Sequence, residues 1–205
     1  MNTLIVNAKI VNEGKVFESD VLIADERIAQ IGTHLSEKNA KVIDAKGKYL
    51  LPGGIDDQVH FREPGLTHKG TIFSESRTAV AGGITSFMEM PNTVPPAFTQ
   101  ALLEDKYHIA SRDAAANYSF FLGASNDNLE EALKTDLHKV CGLKIFMGSS
   151  TGNLLVDDPQ VLEGFYSKFP GLIATHCEDE PTIRKNSSMT TRLCWIRGPP
   201  EGALK

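Results

Sequence analysis

The chain has 205 residues, of which 41% are hydrophobic and 23% charged, and its formal net charge is −5. These values are ordinary for a soluble globular protein, and the acidic balance argues against nucleic acid as a partner. The N-terminal stretch MNTLIVNAKIVNEG has no basic segment and no long apolar run, so neither a signal peptide nor a membrane span is expected. Three irregularly spaced cysteines, Cys141, Cys177 and Cys194, predict neither a disulfide framework nor a CxxC zinc site, which favours a reducing cytoplasm.

Short strands fill the first fifty residues. TLIVNAKIV is apolar, DVLIA and RIAQIG are joined by the acidic turn DE, and KVIDAKGKYLL ends at Pro52-Gly53-Gly54. The sequence therefore predicts a small β-rich unit over residues 1–52.

Strands and helices alternate after Gly54. Five strand-like runs, GGIDDQVHF, ITSFMEM, YSFFLGA, GLKIFMG and GLIATH, are separated by helical segments. Among these are DNLEEALKTDLHKV over residues 127–140 and DDPQVLEGFYSKF, which an Asp cap and Pro159 would open. Such alternation predicts a parallel sheet, either doubly wound or closed as a barrel. No glycine-rich dinucleotide fingerprint follows the first of these strands, which argues against a Rossmann fold. We predict that this unit covers residues 53–186.

Polar side chains end the first of these strands. Gln58, His60 and Arg62 alternate with Val59 and Phe61, so strand geometry predicts that the three polar side chains share one face. Functional groups of parallel barrels lie at the carboxyl ends of strands. His60 by itself would more often be a structural hydrogen-bonding residue.

Two further side chains mark the fourth and fifth strands. Lys144 lies within an apolar strand, where it would reach solvent, pair with a carboxylate, or stay buried as a neutral amine able to react. His176 ends the fifth strand, whereas Cys177 alternates to the opposite face and is not expected to be a ligand. Because His60, Lys144 and His176 end three different strands, we predict a site at this rim.

The motifs HFREPG, AGGITSFMEMPNTVPP, KIFMGSSTGN and ATHCED closely resemble the amidohydrolase superfamily, and within it the dihydroorotases. The resemblance runs from about residue 3 to residue 186. It implies a (β/α)₈ barrel with a small β-sandwich, of which residues 1–52 would form part. HFREPG together with MPNT favours dihydroorotase over hydantoinase or allantoinase.

The resemblance also implies a reaction and its residues. The reaction would be reversible hydrolysis of L-dihydroorotate to N-carbamoyl-L-aspartate, a step of de novo pyrimidine synthesis. Lys144 matches the lysine that CO₂ converts to a carbamate able to bridge two zinc ions, and His60 and His176 match imidazole ligands. Arg62 and Asn92 match the residues that hold the substrate carboxylate, as a planar guanidinium can do through two hydrogen bonds.

Two departures from the family pattern affect these expectations. Gln58 stands where members usually have the first histidine of His-x-His, so it is either a weak carboxamide ligand of one zinc ion or a residue that hydrogen-bonds a water. The family's strand-eight aspartate, which shuttles the proton, has no counterpart, so no catalytic residue is assigned. A complete barrel takes about 250 residues, so we expect a chain truncated after strand five, with an aberrant tail over residues 187–205.

Three functions therefore stay open. The first is a zinc-dependent dihydroorotase-type chain with one or two zinc ions, incomplete as a catalyst. The second is a non-catalytic amidohydrolase-like scaffold, and the third is a hydantoinase or allantoinase-type hydrolase. The expected partner is a small-molecule substrate in the cytoplasm, without nucleic acid or membrane, and a homo-oligomer is left open.

Overall fold

A computed structural model of the chain describes residues 1–148, 154–179 and 181–186. The chain divides into two compact units, Met1–Gly54 and Ile55–Lys205. The predicted domain limits, 1–52 and 53–186, remain predictions, and the predicted tail over 187–205 lies outside the described residues. Among the described helices, none combines the length and the apolar character that a membrane crossing requires.

The first unit is a five-stranded mixed sheet. Its strands follow the order β3-β2-β1-β4, and β5 also pairs with β1. The pairings of β1 with β2 and of β2 with β3 are antiparallel, whereas β4 and β5 run parallel to β1. The strands are β1 Thr3–Asn12, β2 Lys15–Ala24, β3 Arg27–Gly32, β4 Lys41–Asp44 and β5 Tyr49–Leu50.

Two-residue turns connect the first three strands. Glu13 and Gly14 have φ angles of 48° and 72°, and Asp25 and Glu26 have 48° and 63°. Positive φ at both central residues suits the right-handed twist of a hairpin. The predicted acidic turn at residues 25 and 26 is therefore observed. The apolar core of this unit is small, with Ala8, Ile10 and Val21 buried together.

The second unit is a curled five-stranded sheet of which successive strands are neighbours, in the order β10-β9-β8-β7-β6. The pairings from β7 to β10 are parallel. This architecture confirms the predicted partial barrel of about five strands preceded by a β-rich unit. Its elements are β6 Gly54–Val59, α1 Ile72–Ala81, β7 Ile84–Glu89, α2 Gln100–Asp113, β8 Asn117–Gly123, α3 Leu129–Ala132, β9 Gly142–Phe146, α4 Pro159–Lys168 and β10 Ile173–His176.

Local sequence signals account for most helix limits. Thr71 caps α1 by accepting a hydrogen bond from the Ser74 backbone, and Gly82 ends that helix. Asp158 caps α4 ahead of Pro159, as predicted from the Asp-Pro pair. The helix expected over residues 127–140 is much shorter, because the Asp136 carboxylate accepts a hydrogen bond from the His138 backbone and forms a turn there.

The core of the second unit lies between the strands and the helices. Leu143 and Ile145 of β9 are fully buried in it, so Lys144 between them projects from the opposite face of the sheet. The core is built from one face of the sheet, the apolar sides of the helices and flanking loop residues: Phe61, Ile72, Phe87, Leu103, Ala110, Phe120, Leu122, Ala124, Ala132, Leu143, Ile145, Val156, Phe165 and Phe169.

Candidate active site at the carboxyl ends of the strands

His60 and Asn92 form a hydrogen-bonded pair beyond the ends of two neighbouring strands. The Nδ1 atom of His60 lies 2.7 Å from Oδ1 of Asn92. Because an amide oxygen only accepts hydrogen bonds, Nδ1 carries the proton and Nε2 presents its lone pair. His60 makes no second hydrogen bond with the described residues, so Nε2 is available to a ligand.

Arg62 joins the same cluster. Its Nη1 atom donates a hydrogen bond to the backbone carbonyl of Asn92 at 3.3 Å. Strand β6 ends at Val59, and Arg62 has a φ of 69°, so the alternation predicted through residue 62 stops before it. A left-handed conformation costs an ordinary residue roughly 1–2 kcal/mol. The turn at Arg62 nevertheless brings its guanidinium, the predicted carboxylate clamp, to the predicted Asn92.

The loops that carry these residues are in backbone contact. The N–H of Val94 donates to the carbonyl of Pro64 at 3.1 Å. Gly65 adopts a φ of 84°, and a Cβ atom placed there would lie 2.0 Å from the Val94 carbonyl oxygen. Glycine at position 65 thus permits a close approach of the two loop backbones that a residue with a Cβ atom would prevent. The HFREPG and MPNT motifs form one continuous surface.

Lys144 is buried and has no polar partner among the described residues. The residue is 3% exposed, and its Nζ lies 4.9 Å from the centroid of the Phe146 ring. Burial lowers the pKa of the Lys144 ammonium, and no neighbouring acid offsets that shift. Of the three alternatives for this lysine, exposure to solvent is not observed, no carboxylate among the described residues pairs with it, and its reactivity as a neutral amine remains a prediction.

His176 lies beside Lys144 on the next strand. In the parallel pairing of β10 with β9, His176 is the register partner of Phe146. The two rings are stacked with their centroids 6.2 Å apart. The Nε2 atom of His176 lies 3.0 Å from Oε1 of Glu178. An ionised carboxylate only accepts, so Nε2 carries the proton and Nδ1 presents its lone pair.

The pKa of His60 is shifted by burial, by a hydrogen bond and by nearby positive charges. Partial burial lowers the pKa of the His60 imidazole, the hydrogen bond to Asn92 raises it, and the positive charges of Arg62 and Lys144 lower it. The positive charge of Lys106 has the same effect on His60, although Lys106 belongs to helix α2. A neutral imidazole is the form that binds a metal ion.

Gln58 and Cys177 are both exposed. The Gln58 side chain makes no hydrogen bond with a described residue, and its backbone N–H donates to Asp56. Its role as a carboxamide ligand therefore remains a prediction. Cys141 and Cys177 are free thiols, as predicted, and Cys194 lies outside the described residues.

Sequence relatives of the chain are dihydroorotases. That of Thermococcus kodakarensis is 33% identical over 206 residues, which cover 100% of this chain and 46% of the relative. That of Lactococcus lactis subsp. lactis is 33% identical over 210 residues, or 98% of this chain and 48% of the relative. The chain thus spans about half the length of the curated relatives it matches. No family model matches it.

Solved structures of hydantoinases share its fold. The L-hydantoinase (dihydropyrimidinase) from Arthrobacter aurescens superposes with a TM-score of 0.84 and 27% identity, over 93% of this chain and 44% of that one. The dihydropyrimidinase from Brevibacillus agri NCHU1002 gives a TM-score of 0.78 and 27% identity, over 94% and 43%. This chain belongs to the cyclic amidohydrolases of the amidohydrolase superfamily. The resemblance found in the motifs is confirmed.

The donor set of this cyclic amidohydrolase fits a zinc site. Each of His60 and His176 has one ring nitrogen held by an oxygen acceptor and the other free, which is the usual arrangement of metal-bound imidazoles. Among the described residues, no three His, Cys, Asp or Glu side chains cluster closely enough to hold a metal ion.

One charged pair of the cyclic amidohydrolase was missed by sequence reasoning. Nζ of Lys106 lies 2.9 Å from Oε2 of Glu89, and both side chains are at most 1% exposed. The sequence motifs do not predict that these two residues pair. The available signal was spacing, since Leu103, Lys106 and Ala110 are the buried positions of α2 and follow one helical face.

Proposed function

We propose that this chain carries the metal-binding and carboxylate-binding half of a dihydroorotase-type site. The reaction is the reversible hydrolysis of L-dihydroorotate to N-carbamoyl-L-aspartate. The observation that carries the proposal is Lys144, which is buried without a polar partner among the described residues and lies 4.9 Å from the centroid of the ring that stacks on His176.

Lys144 supplies the anionic ligand by a reaction that its environment favours. The neutral amine attacks CO₂, an N–C bond forms, and one proton leaves to solvent. The resulting carbamate offers oxygen atoms beside His60 and His176, the proposed imidazole ligands of one or two zinc ions. Zinc bound there would polarise the ring carbonyl and lower the pKa of a water.

Arg62 and Asn92 orient the substrate through its carboxylate. The hydrogen bond to the Asn92 carbonyl already holds the Arg62 guanidinium in place. Substrate binding therefore costs little side-chain conformational entropy at Arg62. In the hydrolysis, a water oxygen bonds to the ring carbonyl carbon, the ring C–N bond breaks, and the nitrogen takes a proton. Among the described residues, none is assigned this proton transfer.

Zinc binding and turnover test the proposal together. The chain is dialysed with zinc and bicarbonate, its zinc content is measured, and the absorbance of L-dihydroorotate is followed. We expect at least one zinc per chain, which is lost in Lys144→Ala and kept in Lys139→Ala, an exposed lysine, and the turnover measurement tells whether this half of the site suffices for catalysis. Zinc binding that is equal in both variants would contradict the role of Lys144.

A hydantoinase-type substrate is the second candidate, because hydantoinases share this fold at a TM-score of 0.84. Ring hydrolysis is compared for L-dihydroorotate and for 5,6-dihydrouracil, which has the same ring without the carboxylate. If the chain is of the dihydroorotase type, Arg62→Ala raises the KM for L-dihydroorotate. If it is of the hydantoinase type, 5,6-dihydrouracil is the better substrate and Arg62→Ala leaves its hydrolysis unchanged.

A non-catalytic scaffold is the remaining alternative from the sequence. It predicts a folded chain that retains no stoichiometric zinc after dialysis and turns over neither substrate. The cytoplasmic location and a homo-oligomeric state remain predictions from the sequence.

A further inference from the structure

The Glu89–Lys106 pair lies on the helix side of the sheet, away from the substrate face. Glu89 is the last residue of β7 and is the register partner of Phe120, a core residue. Nζ of Lys106 lies 5.0 Å from the centroid of the Phe120 ring. The two charges are therefore surrounded by apolar side chains, where apolar residues would serve stability as well or better.

The remaining polar atoms of the pair bind the backbone next to the site. Oε1 of Glu89 accepts a hydrogen bond from the Arg62 N–H at 3.2 Å. Nζ of Lys106 donates to the Met90 carbonyl at 3.1 Å. The pair thus links α2, the end of β7 and the residue that follows His60 and Phe61. An apolar pair could not provide the acceptor for Arg62.

The backbone of Arg62 needs stabilising contacts because its conformation is unfavourable. Its φ of 69° is unfavourable for a side chain with a Cβ atom, so other contacts must hold it there. In this conformation Phe61 packs in the core, and the side chains of His60 and Arg62 both reach Asn92. The Glu89 acceptor is fixed in turn by Lys106.

We propose that the buried Glu89–Lys106 pair is a positioning device that holds the Arg62 backbone in its left-handed conformation and so aims the carboxylate clamp at the substrate. The clamp role of Arg62 rests on the proposed function, whereas the hold on its backbone does not. Glu89 and Lys106 act through Arg62 and do not touch the substrate.

Two double variants separate positioning from stability. Glu89→Leu with Lys106→Met removes both charges and the acceptor. Glu89→Gln with Lys106→Met removes both charges but keeps an oxygen that can accept the Arg62 N–H. Both preserve side-chain volume and leave no buried charge unpaired, so both should fold.

Hydrogen exchange of the Arg62 amide, followed by NMR on the full chain, decides the inference without metal or substrate. We expect exchange about tenfold faster in the leucine variant than in the glutamine variant, with the amide of Leu122 in the core unchanged. Equal Arg62 rates in the two variants would overturn the inference. So would an Arg62 amide in the unmodified chain that exchanges as fast as a free peptide.

Substrate kinetics supply the second readout. We expect the leucine variant to raise the KM for L-dihydroorotate about tenfold at nearly constant kcat, and the glutamine variant to restore it. A role in stability alone would leave KM equal in the two folded variants, which would overturn the inference. If the Arg62 exchange rates differ as expected but no variant, nor the unmodified chain, uses dihydroorotate, the proposed function fails and the hold on Arg62 stands.

Discussion

The two sides of the second unit's sheet are built in opposite ways. On the β6–β7 side, His60 and Arg62 are each hydrogen-bonded to Asn92, and the Arg62 N–H donates to Glu89, which is paired with Lys106. On the β9–β10 side, Lys144 has no polar partner among the described residues, and its principal contact there is the Phe146 ring.

This difference matches two kinds of task. Recognition of a substrate carboxylate requires donors held in place beforehand, because ordering them later costs affinity. A lysine that must react with CO₂ requires the reverse, since an acidic partner would hold it as an ammonium. Arg62 and Asn92 are therefore positioned by hydrogen bonds within the protein, whereas Lys144 has no such bond among the described residues.

The largest expected effect comes from breaking the β6–β7 side. Lys106→Met leaves Glu89 buried and uncompensated, and loss of one partner of a buried pair costs about 3–5 kcal/mol of the free energy of unfolding. Urea denaturation measures this loss. Lys134→Met is the control, because Lys134 pairs with Glu131 on the surface and its removal should barely move the midpoint. Equal losses in the two variants would contradict the contrast.

Gly65→Ala should be the next most damaging change. The new Cβ would meet the Val94 carbonyl oxygen, and the φ of 84° adds backbone strain. Strain alone costs about 1–2 kcal/mol, and the clash adds roughly 1–3 kcal/mol. Gly83→Ala is a matched control, because Gly83 has a φ of 90° but no atom within 4 Å of the added Cβ. Thermal melts of the two variants should separate the clash from the strain.

Lys144→Met should change stability least. No partner is orphaned and the volume is conserved, so the free energy of unfolding should shift by less than about 1.5 kcal/mol. Zinc binding should nevertheless be lost. A destabilisation as large as that of Lys106→Met would show that Lys144 has an essential partner.

The pH dependence of stability sharpens the same contrast. Burial lowers the pKa of folded Lys144 below its ordinary value of 10.5, so between the two values the unfolded chain holds a proton that the folded chain lacks. The metal-free chain should therefore gain stability relative to Lys144→Met as the pH rises through that window. Urea denaturation of both proteins in CO₂-free buffer from neutral pH upward measures the difference. A constant difference would contradict the lowered pKa.

Much of the second unit could be predicted because its signals are local. The five strands and the helix starts at Thr71 and Asp158 follow from apolar runs and capping residues. The third helix was overestimated, because the Asp136 turn competes with helical hydrogen bonds in a way that composition does not reveal. The convergence of His60, Lys144 and His176 on one site remains a prediction.

The sequence by itself determined which residue types stand at the strand ends, since strand periodicity and the family motifs are both written along the chain. Only the tertiary structure decided how those residues are held. It paired Glu89 of strand β7 with Lys106 of helix α2, placed Arg62 in the left-handed region, and gave Lys144 no acidic partner among the described residues. These outcomes depend on contacts between segments distant along the chain, and burial then makes each polar contact, or its absence, energetically decisive.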